Sequence, residues 1–390
     1  MSLREQYSRR YQKIAQSLEK IFGACEKPRR FALLVDVPKT AKEDSSAWLD
    51  RRELATQWLR EAQLAVLLGF SHDSFELLAY ESVGAANADL LNPAKSIRIA
   101  NDAIPSDAAQ LNAYDAENTE FEQIYEHYDC LVALTQYSAT APLKMAAKRF
   151  GFRAATMPGF TRAMIPALCV DLDEIERKVV LYADLLTKAD GATIQFAVRG
   201  EHSSSLYLDL RHRSGVASTG ILDKAGMAGN LPSGEAYIVP YEGEIHATPS
   251  QSEGVLPIEV NGNVVFCEVK ENRVVRLRSE EQSSYIDAAH YFKDPALANV
   301  AELGLGVLGE LGVQPVGSVL LDEKLAPHIA FGRSEHLGGV TSPASFKDAK
   351  NVSHEDFVYH HKMMPQISII SIILNIDNKE RKVFENGAYC

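Results

Sequence analysis

The first half of the chain alternates short apolar runs with segments of helical periodicity. Apolar runs of strand length occupy residues 31–37, 75–80 and 130–135. At 50–68 and 141–149, apolar positions recur with the spacing of an amphipathic helix. Strands that alternate with helices in this way predict a mostly parallel sheet covered by helices.

The second half is rich in short strand-like runs. An amphipathic segment at 171–188 begins with acidic residues and ends on Lys188, which complements the dipole of a helix. A helix is predicted near 285–301, and Asn261 with Gly262 predicts a hairpin turn. The remaining apolar runs, separated by turn residues, predict strands at 192–198, 206–210, 236–239, 264–269, 273–277 and 366–376.

We therefore predict an α/β protein with two domains. A mostly parallel N-terminal α/β domain occupies residues 1–188, and a β-rich C-terminal domain occupies 189–390. A length of 390 residues is enough for two domains that each bury a core of their own.

The charge and the cysteine pattern argue against several classes of function. The 40 basic residues are outnumbered by 52 acidic ones, and the formal net charge of −12 argues against a nucleic-acid partner. The five cysteines form no CxxC pair, and no apolar run approaches the ~20 residues of a membrane helix. We expect a cytoplasmic protein with reduced thiols that binds neither nucleic acid nor membrane.

Two common classes of active site lack their motif. No GxGxxG follows the strand predicted at 31–37 and no GxxxxGK[ST] occurs, so the phosphate-binding loops of nucleotide-binding folds are missing from the sequence. The GxSxG turn of serine hydrolases is missing too. A metal site is the better hypothesis.

Histidines and carboxylates with apolar neighbours are the candidate ligands. His354 and Asp356 are two residues apart, so in an extended segment their side chains point to the same side. His328 lies in a strand-like run, and Glu302 and Glu235 have apolar or glycine neighbours. A buried carboxylate needs a partner, and this ligand set suits Zn²⁺, Mn²⁺, Co²⁺ or Fe²⁺. Taken singly, His328 also fits a hydrogen-bonded histidine of the core, Glu302 the end of a helix and Glu235 a turn.

At these residues the sequence resembles the aminopeptidase T family of leucyl metallo-aminopeptidases. The resemblance covers roughly residues 130–390. Its main motifs follow one another in the family's order, at 229–240 (GNLPSGEAYIVP), 301–306 (AELGLG), 321–324 (LDEK), 328–332 (HIAFG), 337–339 (LGG) and 351–356 (NVSHED).

The resemblance implies a homodimer in which the β-rich C-terminal domain carries a dinuclear metal site. Glu235, Glu302, His328, His354 and Asp356 fall at the family's metal-site positions. The implied cofactors are two divalent metal ions per chain (Zn, Co or Mn), and the implied reaction removes the N-terminal residue of a short peptide. Glu302 is then the candidate for the bridging or the base role.

Departures from the family's pattern at residues 307–310, 325–327 and 335 keep alternatives open. A tyrosine that follows seven residues after the HIAxG histidine in characterised members is replaced by Glu335, which becomes a second candidate catalytic residue. A carboxylate donates a hydrogen bond to an oxyanion only when it is protonated. One alternative is a mononuclear iron ring-cleaving dioxygenase, whose relatives have histidine at the position of Glu302 and no carboxylate at that of Glu235. The other is a catalytically inactive binding protein.

Overall fold

The computed structural model describes residues 12, 15–98 and 103–390. The chain forms two compact units, and each is discontinuous in sequence. The first comprises the described residues up to Leu172 and the segment Gly220–Ser233, and the second comprises Asp173–Thr219 and Gly234–Cys390. The sequence predicts the domain boundary after residue 188. In the structure, the helix Leu172–Lys188 belongs to the second unit except for its first residue.

Strands and helices alternate in the first unit, and strands predominate in the second. The strands, β1 to β20 in chain order, are Arg30–Val37, Ser74–Glu81, Ala94–Ser96, Asn118–Thr119, Cys130–Leu134, Arg153–Thr156, Ala189–Val198, Glu201–Asp209, Val216–Ser218, Ala228–Asn230, Glu235–Ile238, Glu253–Val260, Asn263–Lys270, Arg273–Ser279, Val300–Gly306, Pro327–Gly332, His354–Val358, Ile367–Ile376, Lys379–Glu385 and Ala388–Tyr389. The α-helices with described bounds, α1 to α8 in chain order, are Ser46–Leu67, Ala108–Ala113, Phe121–His127, Thr140–Phe150, Ile165–Leu168, Leu172–Lys188, Gln282–Tyr291 and Val319–Asp322. Short 3₁₀ helices lie at Arg162–Met164, Glu335–Leu337, Pro343–Ser345 and Ala349–Asn351.

The first unit is built on a seven-stranded sheet with the order β10-β6-β5-β1-β2-β3-β4. The strands from β10 to β2 are parallel, and β3 and β4 continue the sheet in antiparallel pairing. Every residue of β1 after Arg30 is buried, as expected of a central strand covered on both faces. The mostly parallel α/β architecture predicted from the sequence is confirmed.

Local sequence signals explain where helices of this unit begin and end. Asp107 caps α2 by accepting a hydrogen bond from the backbone N–H of Gln110. Helix α4 ends at Gly151, whose left-handed conformation (φ 83°) stops the helix where the sequence predicts. Leu143 and Ala147 of α4 are buried in the core of the unit.

The second unit contains an eight-stranded antiparallel sheet with the order β14-β13-β12-β8-β7-β18-β19-β20. Strands β12 and β13 are joined by Asn261 and Gly262, which have φ angles of 51° and 75°. Positive φ at both central residues is the requirement of a two-residue hairpin turn of type I′. The predicted hairpin is confirmed.

A second sheet of this unit carries the candidate ligands. It has five antiparallel strands in the order β17-β16-β15-β11-β9, and every residue of β15 and β16 is buried. The helix predicted near 285–301 is wrong at its C-terminal end, since α7 ends at Tyr291 and β15 begins at Val300. Asp294 and Pro295 instead form a turn between the helix and the strand, in which the backbone N–H groups of Leu297 and Ala298 donate to their carbonyls. Glu302 consequently lies in a buried strand.

The helices of the described ranges are short or interrupted by charge. The longest, α1, has 22 residues and contains several charged side chains. No helix in these ranges has the length and apolar character needed to cross a membrane.

Candidate metal centre

The five predicted ligands lie on one face of the five-stranded sheet. Glu235 comes from β11, Glu302 from β15, His328 from β16, and His354 with Asp356 from β17. Residues two apart along a strand share a face, and so do residues directly opposite each other on neighbouring strands. The register from β11 to β17 therefore places all five side chains on the same face.

Small residues occupy the neighbouring positions of β15 and β16 on this face. Gly304 stands directly opposite His328, and a Cβ atom at Gly304 would overlap the imidazole ring. Gly306, Ala330 and Gly332 continue the same rows along β15 and β16. Because none of these residues has a large side chain, the face has room for the histidines and carboxylates.

The opposite face of β15 and β16 is apolar. Leu303 and Leu305 of β15 and Ile329 and Phe331 of β16 alternate with the ligands and are at most 1% exposed. A register shift of one residue would exchange the two faces, so burial of these four side chains fixes the ligand face.

One group of potential ligands joins Glu235, Glu302 and His328. The Nε2 atom of His328 lies 3.5 Å from Oε1 of Glu302 and 3.7 Å from Oε2 of Glu235. One ligand atom from each residue lies within 4.8 Å of the others, so the three can address a single cation. All three residues are buried.

A second group joins Glu302, His354 and Asp356. The Nε2 atom of His354 lies 3.1 Å from Oε2 of Glu302 and 3.5 Å from Oδ1 of Asp356. These atoms also lie within 4.8 Å of one another. Glu302 belongs to both groups, and its two oxygens face different histidines. The geometry suits a bridging carboxylate.

Backbone carbonyls orient both histidines. Nδ1 of His328 lies 3.3 Å from the carbonyl oxygen of Ala326, and Nδ1 of His354 lies 2.7 Å from that of Arg333. If each Nδ1 carries the proton and donates it to the carbonyl, Nε2 keeps its lone pair for a metal. This is the usual support of a metal-bound histidine.

Two carboxylate oxygens without a hydrogen-bond partner in the described part of the chain indicate that the site can accept a cation. Oε2 of Glu235 and Oδ1 of Asp356 are buried and have no hydrogen-bond partner among the described residues. Burying a carboxylate oxygen without a partner is unfavourable by several kcal/mol. Both atoms border the Nε2 atoms of the histidines, where a metal ion would satisfy them. The donor set of carboxylates and imidazoles fits Zn²⁺, Mn²⁺, Co²⁺ or Fe²⁺.

The ligands also shift one another's pKa values. Burial acts to lower the pKa of His328, but the surrounding carboxylates, chiefly Glu302, outweigh it and raise that pKa to about 9. Burial acts to raise the pKa of Glu302, yet His328 and His354 hold it below the usual range of a glutamate. The site thus stabilises positive charge among its carboxylates, as a cation site must.

Two charged residues beside the ligands were not among the site residues predicted from the sequence. The buried ammonium of Lys324 pairs with Oε1 of Glu235 and with Oε1 of Glu323. Burial raises the pKa of Glu323 to about 8, although the ammonium of Lys324 opposes this. Lys324 is followed by the apolar residues 325–327, and a lysine buried with such neighbours needs a charged partner, which is the signal that could have identified it.

Glu335, the second candidate catalytic residue, is paired with Arg333. Nε of Arg333 donates to Oε2 of Glu335 at 2.6 Å, and a terminal nitrogen of the same guanidinium donates to Oε1. The next residue, His336, stands against His354 with ring centroids 5.3 Å apart. His336 was not among the predicted catalytic residues or ligands; the sequence left open whether it lines an altered pocket or belongs to a solvated loop.

A cavity beside Asp356 provides room next to the second group of ligands. Its volume is about 440 Å³, and Val319, Val358 and Met363 contribute apolar lining. Val358 follows Asp356 by two residues on β17, so the two side chains share a face.

Comparisons with known proteins identify the fold. No protein-family profile and no curated protein sequence matches the chain. The structure of 2,5-dihydroxypyridine dioxygenase from Pseudomonas putida KT2440 matches with a TM-score of 0.59 and 14% identity, over 100% of this chain and 98% of the dioxygenase. Wild-type AmpT (aminopeptidase T) from Thermus thermophilus matches with a TM-score of 0.55 and 12% identity, over 98% of this chain and 99% of AmpT. The chain has the fold of both.

This likeness confirms the fold class and supports the resemblance to aminopeptidase T at the level of fold. Identities of 14% and 12% carry no information about the reaction. Because one fold supports different chemistries, function has to be argued from the residues of the site.

Proposed function

We propose that the protein is a metal-dependent aminopeptidase that hydrolyses the N-terminal residue of short peptides with water activated by two divalent ions. The observation that carries the proposal is the position of Glu302, whose oxygens face His328 on one side and His354 on the other. With Glu235 and Asp356, these residues form two overlapping ligand groups. A shared carboxylate between two ligand groups suits the paired ions of two-metal hydrolases.

The residues of the site have distinct parts in this reaction. Bound divalent ions would lower the pKa of a water and polarise the scissile carbonyl. His328 and His354 direct Nε2 into the site because Nδ1 faces a backbone carbonyl. Glu302 holds the two ligand groups together, which favours the bridging role over that of the base. A carboxylate of the site accepts the proton of the water and returns it to the leaving amine.

A mononuclear iron dioxygenase is the second candidate. His328, His354 and Asp356 form a group of two histidines and one carboxylate, as in non-haem iron(II) oxygenases. The Nε2 atoms of the two histidines lie 3.8 and 3.5 Å from Oδ1 of Asp356. Glu235 and Glu302 favour the hydrolase, since a single iron held by the two histidines and Asp356 would not use these two buried carboxylates as ligands.

Metal content and peptide turnover together test the proposal. Elemental analysis of the purified protein should find about two divalent ions per chain. Release of the first residue from short peptides that begin with Leu, Met or Arg should require added Co²⁺ or Zn²⁺ and stop with chelator. Glu302→Gln should remove the activity, because both ligand groups lose their shared member.

Glu355→Gln is the matched control, because Glu355 lies between His354 and Asp356 on β17 and points to the other face. It should retain metal and turnover. One iron per chain without peptide turnover would favour the dioxygenase, and the absence of bound metal would favour the binding protein. Homodimerisation and cytoplasmic location stay predictions.

A further inference from the structure

Residues 333–341, which we call the 333–341 loop, are held in place by the partly buried carboxylate of Glu242. Glu242 accepts hydrogen bonds from the backbone N–H groups of Val340 and Thr341, at 3.2 and 3.0 Å. It also accepts from the hydroxyl groups of Thr341 and Ser334. Backbone hydrogen bonds from Ser334 and Glu335 to the carbonyl of Thr341 close the loop. A loop fixed in this way can position a functional side chain.

The 333–341 loop places His336 at the accessible side of the metal centre. Its ring is nearly perpendicular to that of His354, at 86°. The side chain of His354 is 17% exposed, whereas those of the other four ligands are at most 7% exposed. His336 itself is 40% exposed. A substrate that reaches the ligands past His354 therefore also meets His336.

Glu335 cannot provide a hydrogen-bond donor at this place. Both of its oxygens accept hydrogen bonds from Arg333, and this pairing lowers the pKa of the Glu335 carboxyl. An ionised carboxylate accepts hydrogen bonds and donates none. Glu335 therefore cannot stabilise a developing oxyanion by hydrogen bonding.

We propose that a ring N–H of His336 donates a hydrogen bond to the substrate's carbonyl oxygen as that oxygen becomes an oxyanion. The inference rests on the proposed aminopeptidase function. Preorganised donors aimed at the developing charge stabilise such transition states strongly. His336 has this role because it is a donor, lies next to the accessible ligand and is carried by a fixed loop.

The bond changes define what His336 does. The oxygen of the attacking water forms a bond to the carbonyl carbon, and the π-electron pair of the carbonyl moves to its oxygen, which accepts the hydrogen bond from His336. The electron pair on that oxygen then re-forms the carbonyl as the bond from carbon to nitrogen breaks, and the pair of the broken bond stays on the amine nitrogen. The proton released by the water joins that nitrogen. His336 keeps its own proton throughout.

Kinetics of two His336 variants test the proposal. His336→Phe should lower kcat for a leucyl peptide by about 100-fold, the usual effect of losing one oxyanion donor. KM and the number of bound metal ions should stay close to those of the wild type, since no ligand is lost. His336→Gln, whose amide can donate, should recover part of the rate, and Glu355→Gln should behave as wild type.

Binding of inhibitors gives a second readout that does not depend on turnover. A phosphinic dipeptide analogue, which imitates the tetrahedral oxyanion, should bind His336→Phe about 100-fold more weakly than the wild type. The affinity for the product leucine should not change. Equal analogue affinity, a kcat within about threefold of wild type, or loss of rate in Glu335→Gln instead of His336→Phe would overturn the inference alone. No peptide turnover by wild type with both ions bound would overturn the proposed function and this inference together.

Discussion

Lys324→Met should destabilise the metal-free protein strongly. The ammonium of Lys324 is 5% exposed and pairs with the carboxylates of Glu235 and Glu323, which are 7% and 15% exposed. Methionine fills a similar volume but carries no charge, so the substitution leaves the buried carboxylate of Glu235 without its cation. Removing one partner of a buried ion pair costs about 3–5 kcal/mol.

The magnitude translates into a measurable shift of the unfolding midpoint. For domains of 150–250 residues, 1 kcal/mol corresponds to roughly 2–4 °C, so we expect a decrease of about 10 °C in the presence of chelator. Calorimetry or circular dichroism can follow the transition. With saturating Zn²⁺ the decrease should be smaller, because a cation next to Glu235 replaces part of the lost charge.

Two comparisons make this test decisive. Lys382→Met removes an exposed lysine that pairs with Glu385 at the surface, and it should change the midpoint little. Adding Glu235→Gln to Lys324→Met should restore part of the stability, because the unpaired charge of Glu235 is removed. A decrease below about 2 °C in chelator, or the same decrease with and without Zn²⁺, would refute the reasoning.

Further predictions concern the glycine opposite His328 and a buried aspartate in the first unit. Gly304→Ala should lower the metal content measured by elemental analysis, because a Cβ atom there overlaps the ring of His328; full occupancy would show that the ring can move aside. Burial raises the pKa of Asp36 from 3.8 to about 7. The folded state therefore retains a proton that the unfolded state releases, and the unfolding free energy falls as pH rises from about 4 to 7. Asp36→Asn lacks this dependence, so its stability advantage over wild type should be larger at pH 8 than at pH 5 by about 3 kcal/mol; thermal melts with equal shifts at both pH values would contradict this.

Much of the local structure could be predicted from residue pattern and turn chemistry. The stop of α4 at Gly151 and the hairpin at Asn261 and Gly262 depend on neighbouring residues only, and both are correct. The alternation of polar or small residues with apolar ones at 301–306 also has the period of a strand. The helix predicted near 285–301 overlooked this alternation and the turn at Asp294.

The assembly of the site depends on contacts that no local pattern specifies. The five ligands share a face because β11, β15, β16 and β17 are neighbours in one sheet, and that strand order is set by long-range pairing. Recognition of family motifs supplied the ligand set where spacing alone left alternatives open. Glu242 and the 333–341 loop are far apart in sequence, so nothing near His336 indicated that its position is fixed.

The most direct measurement of the central claim is an anomalous-scattering map from crystals grown with zinc. The account predicts two peaks that share Glu302, one beside Glu235 and His328 and the other beside His354 and Asp356. Glu235→Gln should weaken the first peak and keep the second. A single peak bound by the two histidines and Asp356, and unchanged by Glu235→Gln, would contradict the paired-ion site and the hydrolase proposed from it.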